Sequence, residues 1–199
     1  MLTIVFFIIA IIYYCTKHAG ESYTTKLKGN PLYEGPEYNF IREKAYLVYQ
    51  DVQYAWSNFD YDRLRKVLSD ELYNNYVALL EQLKIKNQQN IMSDIELLDI
   101  VIMDIKEFDY DVQYNIRMVV RQKDYVIDKT NNSVVRGTSS IKHVVKYDLT
   151  YLLSKDKENN CPNCGSKLES VASQVCPSCG STVVSDKHDM IMIKKENIR

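Results

Sequence analysis

Two Cys-x-x-Cys pairs near the C-terminus are the clearest chemical feature of this 199-residue chain. They read CPNCG and CPSCG, and eleven residues separate Cys164 from Cys176. Each pair can bring two thiolates to one metal ion, and the glycine after each pair leaves room for backbone N–H groups near the sulfurs. The predicted ligands are Cys161, Cys164, Cys176 and Cys179. Four protein ligands leave no position for water, so we expect one structural Zn²⁺ ion.

Paired cysteines can also do redox chemistry. Four of the five cysteines lie in the last quarter of the chain, which favours metal binding over disulfides in a reducing compartment. Two dithiol redox sites are the alternative, although two proline-containing turns in series are not typical of them. Residues 155–199 are too few to bury a sufficient core, so a bound metal must supply the folding free energy of this predicted zinc ribbon.

Other chemistry has weaker support. Between Lys155 and Arg199 seven basic residues face six acidic ones, and the ribbon has no aromatic residue on which a base could stack. Nucleic-acid binding is therefore an unfavoured alternative, and the net charge of -1 indicates no partner. The three histidines, His18, His143 and His188, lie in no recognisable catalytic motif. We predict that the chain is not an enzyme.

The N-terminus predicts a membrane anchor. Residues 1–15 carry no charge and would form a helix of about 22 Å, against a hydrocarbon core of roughly 30 Å. Aromatic and then basic residues follow, as at a membrane interface, and the expected membrane-facing residues here are Tyr13, Tyr14 and Lys17. We predict an anchor helix over residues 1–18 with the later domains in the cytoplasm. A cleaved signal peptide and a buried core helix are the alternatives.

The middle of the chain predicts helices followed by strands. Residues 19–36 are rich in Gly and Pro and predict a linker. Apolar residues then recur every three or four positions, which predicts three helices, the second capped by Asp60 and the third by Ser69. After Asn90 the period changes to two, which predicts an antiparallel meander whose first strand is apolar on both sides. Residues 37–154 are therefore predicted to form an α+β domain.

Charge is segregated within the predicted sheet. Residues 91–115 hold seven acids and one base, whereas residues 117–146 hold seven bases and two acids. Cross-strand ion pairing explains this pattern directly. The functional alternative is a basic surface facing the anionic leaflet of the membrane, formed by Arg117, Arg121, Lys142 and Lys146.

The α+β segment resembles the Tim44-like domain family, named after the membrane-bound tether subunit of the mitochondrial presequence translocase. The resemblance covers roughly residues 38–154. It is carried by Ala45, Ala55-Trp56, Asp60, Leu64-Arg65 and Leu68-Ser69-Asp70-Glu71-Leu72, followed by the strands. A membrane segment before the domain and a CPNCG...CPSCG ribbon after it are similar to the bacterial branch of zinc-ribbon transport proteins.

The resemblance implies a cone-shaped fold of the nuclear-transport-factor-two-like kind, with a pocket between helices and sheet. Candidate pocket residues are Trp56, Tyr114 and Tyr147, and the ligand would be an acyl chain or a protein segment. The leading hypothesis is a single-pass protein of the bacterial cell membrane, with cytoplasmic domains. It would tether anionic lipid and a membrane or translocating protein during protein transport or membrane-protein assembly. The alternatives are a pocket enzyme of the same fold and a nucleic-acid-binding regulator acting through the ribbon.

Overall fold

The computed structural model describes residues 26–109, 111–154, 163–166, 176, 178–181 and 190–198. The predicted anchor, with Tyr13, Tyr14 and Lys17, lies outside the described residues. Within the described part of the chain, no helix combines the length and the apolar character needed to cross a membrane.

Three helices open the folded domain: α1 (Asn39–Asn58), α2 (Tyr61–Val67) and α3 (Asp70–Ile85). Phe59 adopts the left-handed conformation and ends α1. The Asp60 carboxylate accepts a hydrogen bond from the backbone N–H of Arg63, and the Ser69 hydroxyl accepts one from that of Leu72. The side chains that were expected to cap α2 and α3 from the sequence therefore do so.

Five strands form one antiparallel sheet. They are β1 (Gln88–Glu107), β2 (Asp111–Asp128), β3 (Val134–Gly137), β4 (His143–Ser154) and β5 (Met190–Ile198). The order across the sheet is β1-β2-β4-β5, and short β3 pairs with the far end of β2. The polar turn predicted at residues 129–133 joins β2 to β3.

The helices cover one face of the sheet, and the core lies between the two layers. From α1 the buried apolar residues include Ile41, Ala45, Val48, Tyr49, Val52 and Ala55. From the sheet they include Ile102, Ile116, Met118, Val120, Leu149 and Tyr151. The hydroxyl of Tyr151 donates a hydrogen bond to the carbonyl of Ala45 at 3.0 Å, which joins β4 to α1. The predicted mixed fold of helices on an antiparallel sheet is confirmed.

Strand β1 departs from strict alternation. Its register with β2 shifts between Ser93 and Glu96, between Leu97 and Asp99, and between Ile102 and Asp104. A bulge adds one residue and changes which side chains face the helices. The side chains packed on the core are consequently Ile95, Leu97, Ile100, Ile102 and Ile105. The expectation of two regular apolar sides misses these bulges.

The last strand corrects the predicted domain boundary. Residues 190–198 were assigned to the ribbon from the sequence, yet β5 pairs with β4 along the sheet, with Leu153 opposite Met190. The side chains of Met190 and Met192 are fully buried in the core. Residues 190–198 therefore belong to the sheet, because their backbone pairs with β4 and their methionines are buried in its core, although they follow the cysteines closely in sequence. The cysteine segment is therefore an insertion between two neighbouring strands.

The described part of the predicted linker lies against β1. The backbone N–H of Asn30 donates to the carbonyl of Ile102 at 3.1 Å. At Gly29 an added Cβ would lie 2.9 Å from the Cβ of Val101, so the two backbones approach closely. Two short 3₁₀ turns, Pro31–Tyr33 and Pro36–Tyr38, then lead into α1.

Candidate functional site

Three of the predicted metal ligands lie together. The sulfurs of Cys164, Cys176 and Cys179 are all within 4.8 Å of one another, and those of Cys164 and Cys176 are 3.8 Å apart. A disulfide would require about 2.05 Å between them. Two sulfurs bound to one Zn²⁺ ion at about 2.3 Å lie about 3.8 Å apart in a tetrahedron. Cys161 lies outside the described residues.

The turns around these cysteines are suited to thiolate ligands. Gly165 and Gly180 have positive φ values of 71° and 70°, a conformation that glycine adopts without strain. The backbone N–H of Cys176 donates to the carbonyl of Ser181, and that of Gly180 donates to the carbonyl of Cys176, both at 2.9 Å. These bonds fold the second pair into a tight turn.

Hydroxyl groups flank two of the sulfurs. The Oγ atom of Ser166 lies 3.2 Å from the Sγ atom of Cys164, and that of Ser181 lies 3.3 Å from the Sγ atom of Cys179. A hydroxyl group can donate a hydrogen bond to a metal-bound thiolate and so tune it. Donor type, sulfur spacing and turn geometry all fit a metal ion, so these three cysteines could hold one.

A second cluster of polar side chains lies between the helices and the sheet. At its centre is Lys195 of β5, a half-buried residue whose ammonium lies 5.3 Å from the ring centre of Tyr49 and 4.6 Å from that of Tyr147. The ammonium also donates to Oε1 of Gln53 at 3.4 Å. Aromatic faces attract a desolvated cation, so the two rings partly replace the water that Lys195 has lost.

Two buried glutamines complete this cluster. Gln53 on α1 and Gln122 on β2 are 1% and 0% exposed. Oε1 of Gln122 accepts a hydrogen bond from the hydroxyl of Tyr49 at 2.7 Å, and the Tyr147 hydroxyl interacts with both. The Nε2 atom of Gln53 has no hydrogen-bond partner within the described residues. We call the set Tyr49, Gln53, Gln122, Tyr147 and Lys195 the interior polar cluster.

Burial sets the protonation of this cluster. Desolvation lowers the pKa of Lys195 to about 8, and the nearby carboxylate of Asp124 opposes that change. Desolvation also raises the pKa values of Tyr49 and Tyr147 above their ordinary value. The tyrosines are therefore neutral hydrogen-bonding groups near neutral pH, while Lys195 is close to its titration range.

The three predicted pocket residues do not share one site. Tyr147 belongs to the interior polar cluster. Tyr114 is buried opposite Tyr151, four residues along β4 from Tyr147 or about 13 Å. The indole of Trp56 donates to Oδ1 of Asn90 at 2.8 Å and packs edge-on against Tyr76. Trp56 and Tyr114 thus lie on either side of the cluster that contains Tyr147.

The pocket-enzyme alternative needs a histidine or aspartate with a partner in reach. Asp124 accepts a hydrogen bond from Nδ2 of Asn90 at 2.7 Å, and Asn90 in turn accepts from the indole of Trp56. This chain joins α1, β1 and β2, but Asn90 and Trp56 do not titrate near neutral pH. His143 is exposed at the start of β4.

The predicted basic surface consists largely of ion pairs. Arg117 donates two hydrogen bonds to Asp148, each at 2.7 Å, and Arg121 donates two to Glu96. The Lys142 ammonium lies 3.8 Å from the Glu96 carboxylate. Hydrogen bonding lowers the pKa of Glu96. These contacts are the cross-strand ion pairs that were predicted from the charge pattern. They reduce the net positive charge of this face.

A shallow cavity lies on the face of the sheet away from the helices. It has a volume of about 280 Å³ and surrounds the Arg117–Asp148 pair, with Asn115, Lys194 and Glu196 in its lining. Both charge signs are present, so the cavity selects neither anions nor cations.

Lys195, Gln53 and Gln122 were not predicted from the sequence, although the positions of the two glutamines gave a signal. Gln122 continues the inward alternation of Met118 and Val120 along β2, and Gln53 follows Val52 in the buried stripe of α1. A polar residue in phase with a buried stripe indicates an interior polar group. Lys195 gave no such signal, because its pairing with the sheet is a long-range contact.

Helices on one face of an antiparallel sheet, with a cysteine insertion before the last strand, define an α+β domain with a candidate metal site. The Tim44-like domain model matches residues 38–163, more than half of the chain. The chain therefore belongs to the Tim44-like domain family, as the resemblance predicted. Among curated proteins, no similar sequence was found.

Proposed function

We propose that this chain is a membrane-anchored, non-enzymatic tethering protein in protein transport or membrane-protein assembly. The observation that carries the proposal is the Tim44-like match over residues 38–163, a family named for a tether subunit. The match includes all three helices and strands β1 to β4. Family membership supports a binding or tethering role, and the anchor, membrane and ligand are further steps of the proposal.

In this proposal residues 1–18 anchor the chain in a bacterial cell membrane, with the later domains in the cytoplasm. The face of the sheet that carries Arg117, Arg121, Lys142 and Lys146 lies toward anionic lipid. Because Glu96 and Asp148 partly neutralise this face, its attraction to lipid is weak and sensitive to salt. The anchor, rather than this face, supplies most of the membrane affinity.

The cysteine insertion binds one structural Zn²⁺ ion in the same proposal. Cys164, Cys176 and Cys179 already have the spacing of a shared ion, and Cys161 completes the four ligands. A bound ion holds the insertion folded. The insertion then presents a fixed surface for contact with a protein partner.

The interior between the helices and the sheet is the proposed ligand site. Its mixture of apolar side chains with the interior polar cluster suits a ligand that has an apolar body and one polar group. The experiment that tests the tethering function compares the full chain with a variant lacking residues 2–15. Cells producing each are fractionated, and membranes are washed with alkaline carbonate and with high salt.

The full chain is expected in the washed membranes, and the shortened variant in the soluble fraction. Mass spectrometry of proteins crosslinked to the full chain in cells should then identify membrane or translocating proteins. Replacing Arg117 and Arg121 with Gln serves as the matched test of the basic face and should leave fractionation unchanged. Recovery of the full chain in the soluble fraction would contradict membrane anchoring.

A further inference from the structure

The interior polar cluster has more hydrogen-bond donors than acceptors. The Lys195 ammonium carries three N–H donors and has one long hydrogen bond, 3.4 Å, to Oε1 of Gln53. The Nε2 atom of the same amide is buried and has no acceptor within the described residues. A buried amide N–H group without an acceptor is costly, so native proteins rarely leave one unmatched. The Lys195 ammonium and the Gln53 amide N–H group therefore both lack an oxygen acceptor.

The charge around Lys195 indicates what kind of acceptor fits. Lys195 brings one positive charge to the interior polar cluster, and the carboxylate of Asp124 is near enough to interact with it. Lys195 makes no direct ion pair among the described residues, and the Asp124 carboxylate accepts a hydrogen bond from Asn90. A dianion such as phosphate would bring two negative charges to one cation beside Asp124, whereas a monoanion brings one. A neutral amide or alcohol would supply an oxygen acceptor but no negative charge in direct contact with the ammonium. The balance favours a monoanion.

A carboxylate also matches the donors in number. It presents two oxygen acceptors side by side, one for the Lys195 ammonium and one for the Gln53 amide. Tyr49 and Tyr147 place their rings near the same ammonium and limit its position. Gln122 holds the hydroxyl of Tyr49, so the rings are fixed from the sheet side. Lys195 is half-buried as a residue, whereas Gln53 and Gln122 are 1% and 0% exposed, so the approach to the cluster from solvent is along the Lys195 side chain.

We propose that Lys195 and Gln53 bind the carboxylate group of a monocarboxylate ligand between the helices and the sheet. This inference rests on the proposed function, since it names the group by which a ligand is held in the interior. Lys195 supplies the charge and Gln53 the second hydrogen bond. Tyr49, Tyr147 and Gln122 position those two side chains.

The test uses the full chain in lipid nanodiscs and isothermal titration calorimetry, with empty nanodiscs as the blank. The probes are hexanoate and hexanamide, which have the same apolar tail and differ in the charged group. The variant is Lys195→Met, and Lys194→Met is its matched control, since Lys194 is the exposed neighbour that pairs with Glu196. Lys195→Arg keeps the cation, and circular dichroism confirms folding of each variant.

Hexanoate should bind more tightly than hexanamide, and Lys195→Met should weaken hexanoate binding by about tenfold or more, as for loss of a charge-assisted hydrogen bond. Lys194→Met should leave the affinity unchanged, and Lys195→Arg should retain part of it. Equal binding of both probes in all variants would overturn the inference and leave a neutral interior ligand possible. Absence of heat at two temperatures, which excludes binding hidden by a zero enthalpy at one of them, would overturn the inference while the fractionation test of the tether stands.

A second pair of probes separates two sources of a carboxylate. A short apolar peptide with a free C-terminus is compared with the same peptide ending in an amide. Binding of the free peptide with the same dependence on Lys195 supports a protein C-terminus as the ligand. Binding of hexanoate alone supports a fatty acid.

Discussion

At the scale of single residues, Lys195 carries a positive charge in a desolvated position. The charge lowers the free energy of unfolding by an amount that can be measured. Burial lowers its folded-state pKa to about 8, whereas an unfolded lysine titrates near pH 10.4. Folding therefore disfavours the charged form below pH 8, and the cost disappears as pH rises from about 8 to about 10.4. At higher pH, ionisation of the tyrosines adds a separate effect.

Lys195→Met should consequently raise the free energy of unfolding at pH 7 by about 1–3 kcal/mol. The gain should shrink between pH 8 and pH 9.5, because the wild-type lysine loses its proton in the folded state. Urea unfolding at pH 7, 8, 9 and 9.5 measures this difference. Lys194→Met is the control, and a gain that is constant with pH would show that the charge of Lys195 is not the cause.

Metal binding can also be tested at single residues. Cys176→Ser should remove the bound metal from the purified full chain, because a buried thiolate ligand is lost from a shell of four. Cys15→Ser should retain it, since Cys15 is outside the two pairs. Inductively coupled plasma mass spectrometry gives the metal content and its identity. One zinc ion per chain in both variants would contradict the predicted ligand set.

At the scale of elements, Ser69 connects α3 to the last strand. Its hydroxyl caps α3, and its backbone N–H donates to the carbonyl of Met192 in β5 at 3.0 Å. Ser69→Ala should lower the free energy of unfolding by about 1 kcal/mol, since only the cap is lost. Ser69→Asp keeps an acceptor and should stay near wild type. Urea unfolding at pH 7 compares them, and a loss of the same size in both variants would show that the cap is not the cause, since both keep the backbone N–H.

Elements governed by local patterns could be predicted from the sequence. The buried stripe of α1 follows from apolar residues such as Ile41, Ala45 and Val52 at helical spacing, and the starts of α2 and α3 follow from their capping side chains. The bulges of β1 could not be predicted, because each depends on pairing with β2. Strand β5 is short and lies after the cysteines, so nothing local distinguishes it from the insertion.

The candidate sites divide along the same line. The Cys-x-x-Cys spacing is a local sequence pattern, so three of the four predicted metal ligands are found close together, as expected. The interior polar cluster joins α1, β2, β4 and β5, and its hydrogen-bonded pair Gln53 and Lys195 is 142 residues apart in the chain. Because long-range contacts bring these residues together, they show no regular spacing in the sequence from which the cluster could be predicted. Of the three predicted pocket residues, only Tyr147 belongs to the interior polar cluster.

At the scale of the whole molecule, metal binding in the cysteine segment should be coupled to the docking of β5. Residues 155–189 connect β4 to β5, and β5 contributes two fully buried methionines to the core. Closing an unstructured loop of that length costs about 3 kcal/mol of conformational entropy. If the insertion is folded around a bound metal ion, most of this entropy is lost when the metal binds, so metal binding should favour the docked position of β5.

Removing the metal should therefore loosen β5 first. In the full chain treated with a zinc chelator, amide hydrogen exchange of residues 190–198 should become about 10 to 100 times faster, in keeping with a change of a few kcal/mol in local opening. Exchange of β2 should change little, because β1 and β4 flank it on both sides. Mass spectrometry of proteolytic peptides follows both segments, and adding zinc back should restore protection. Unchanged exchange of β5 in a chain shown to be metal-free would mean that its pairing with β4 and the burial of Met190 and Met192 suffice to hold it.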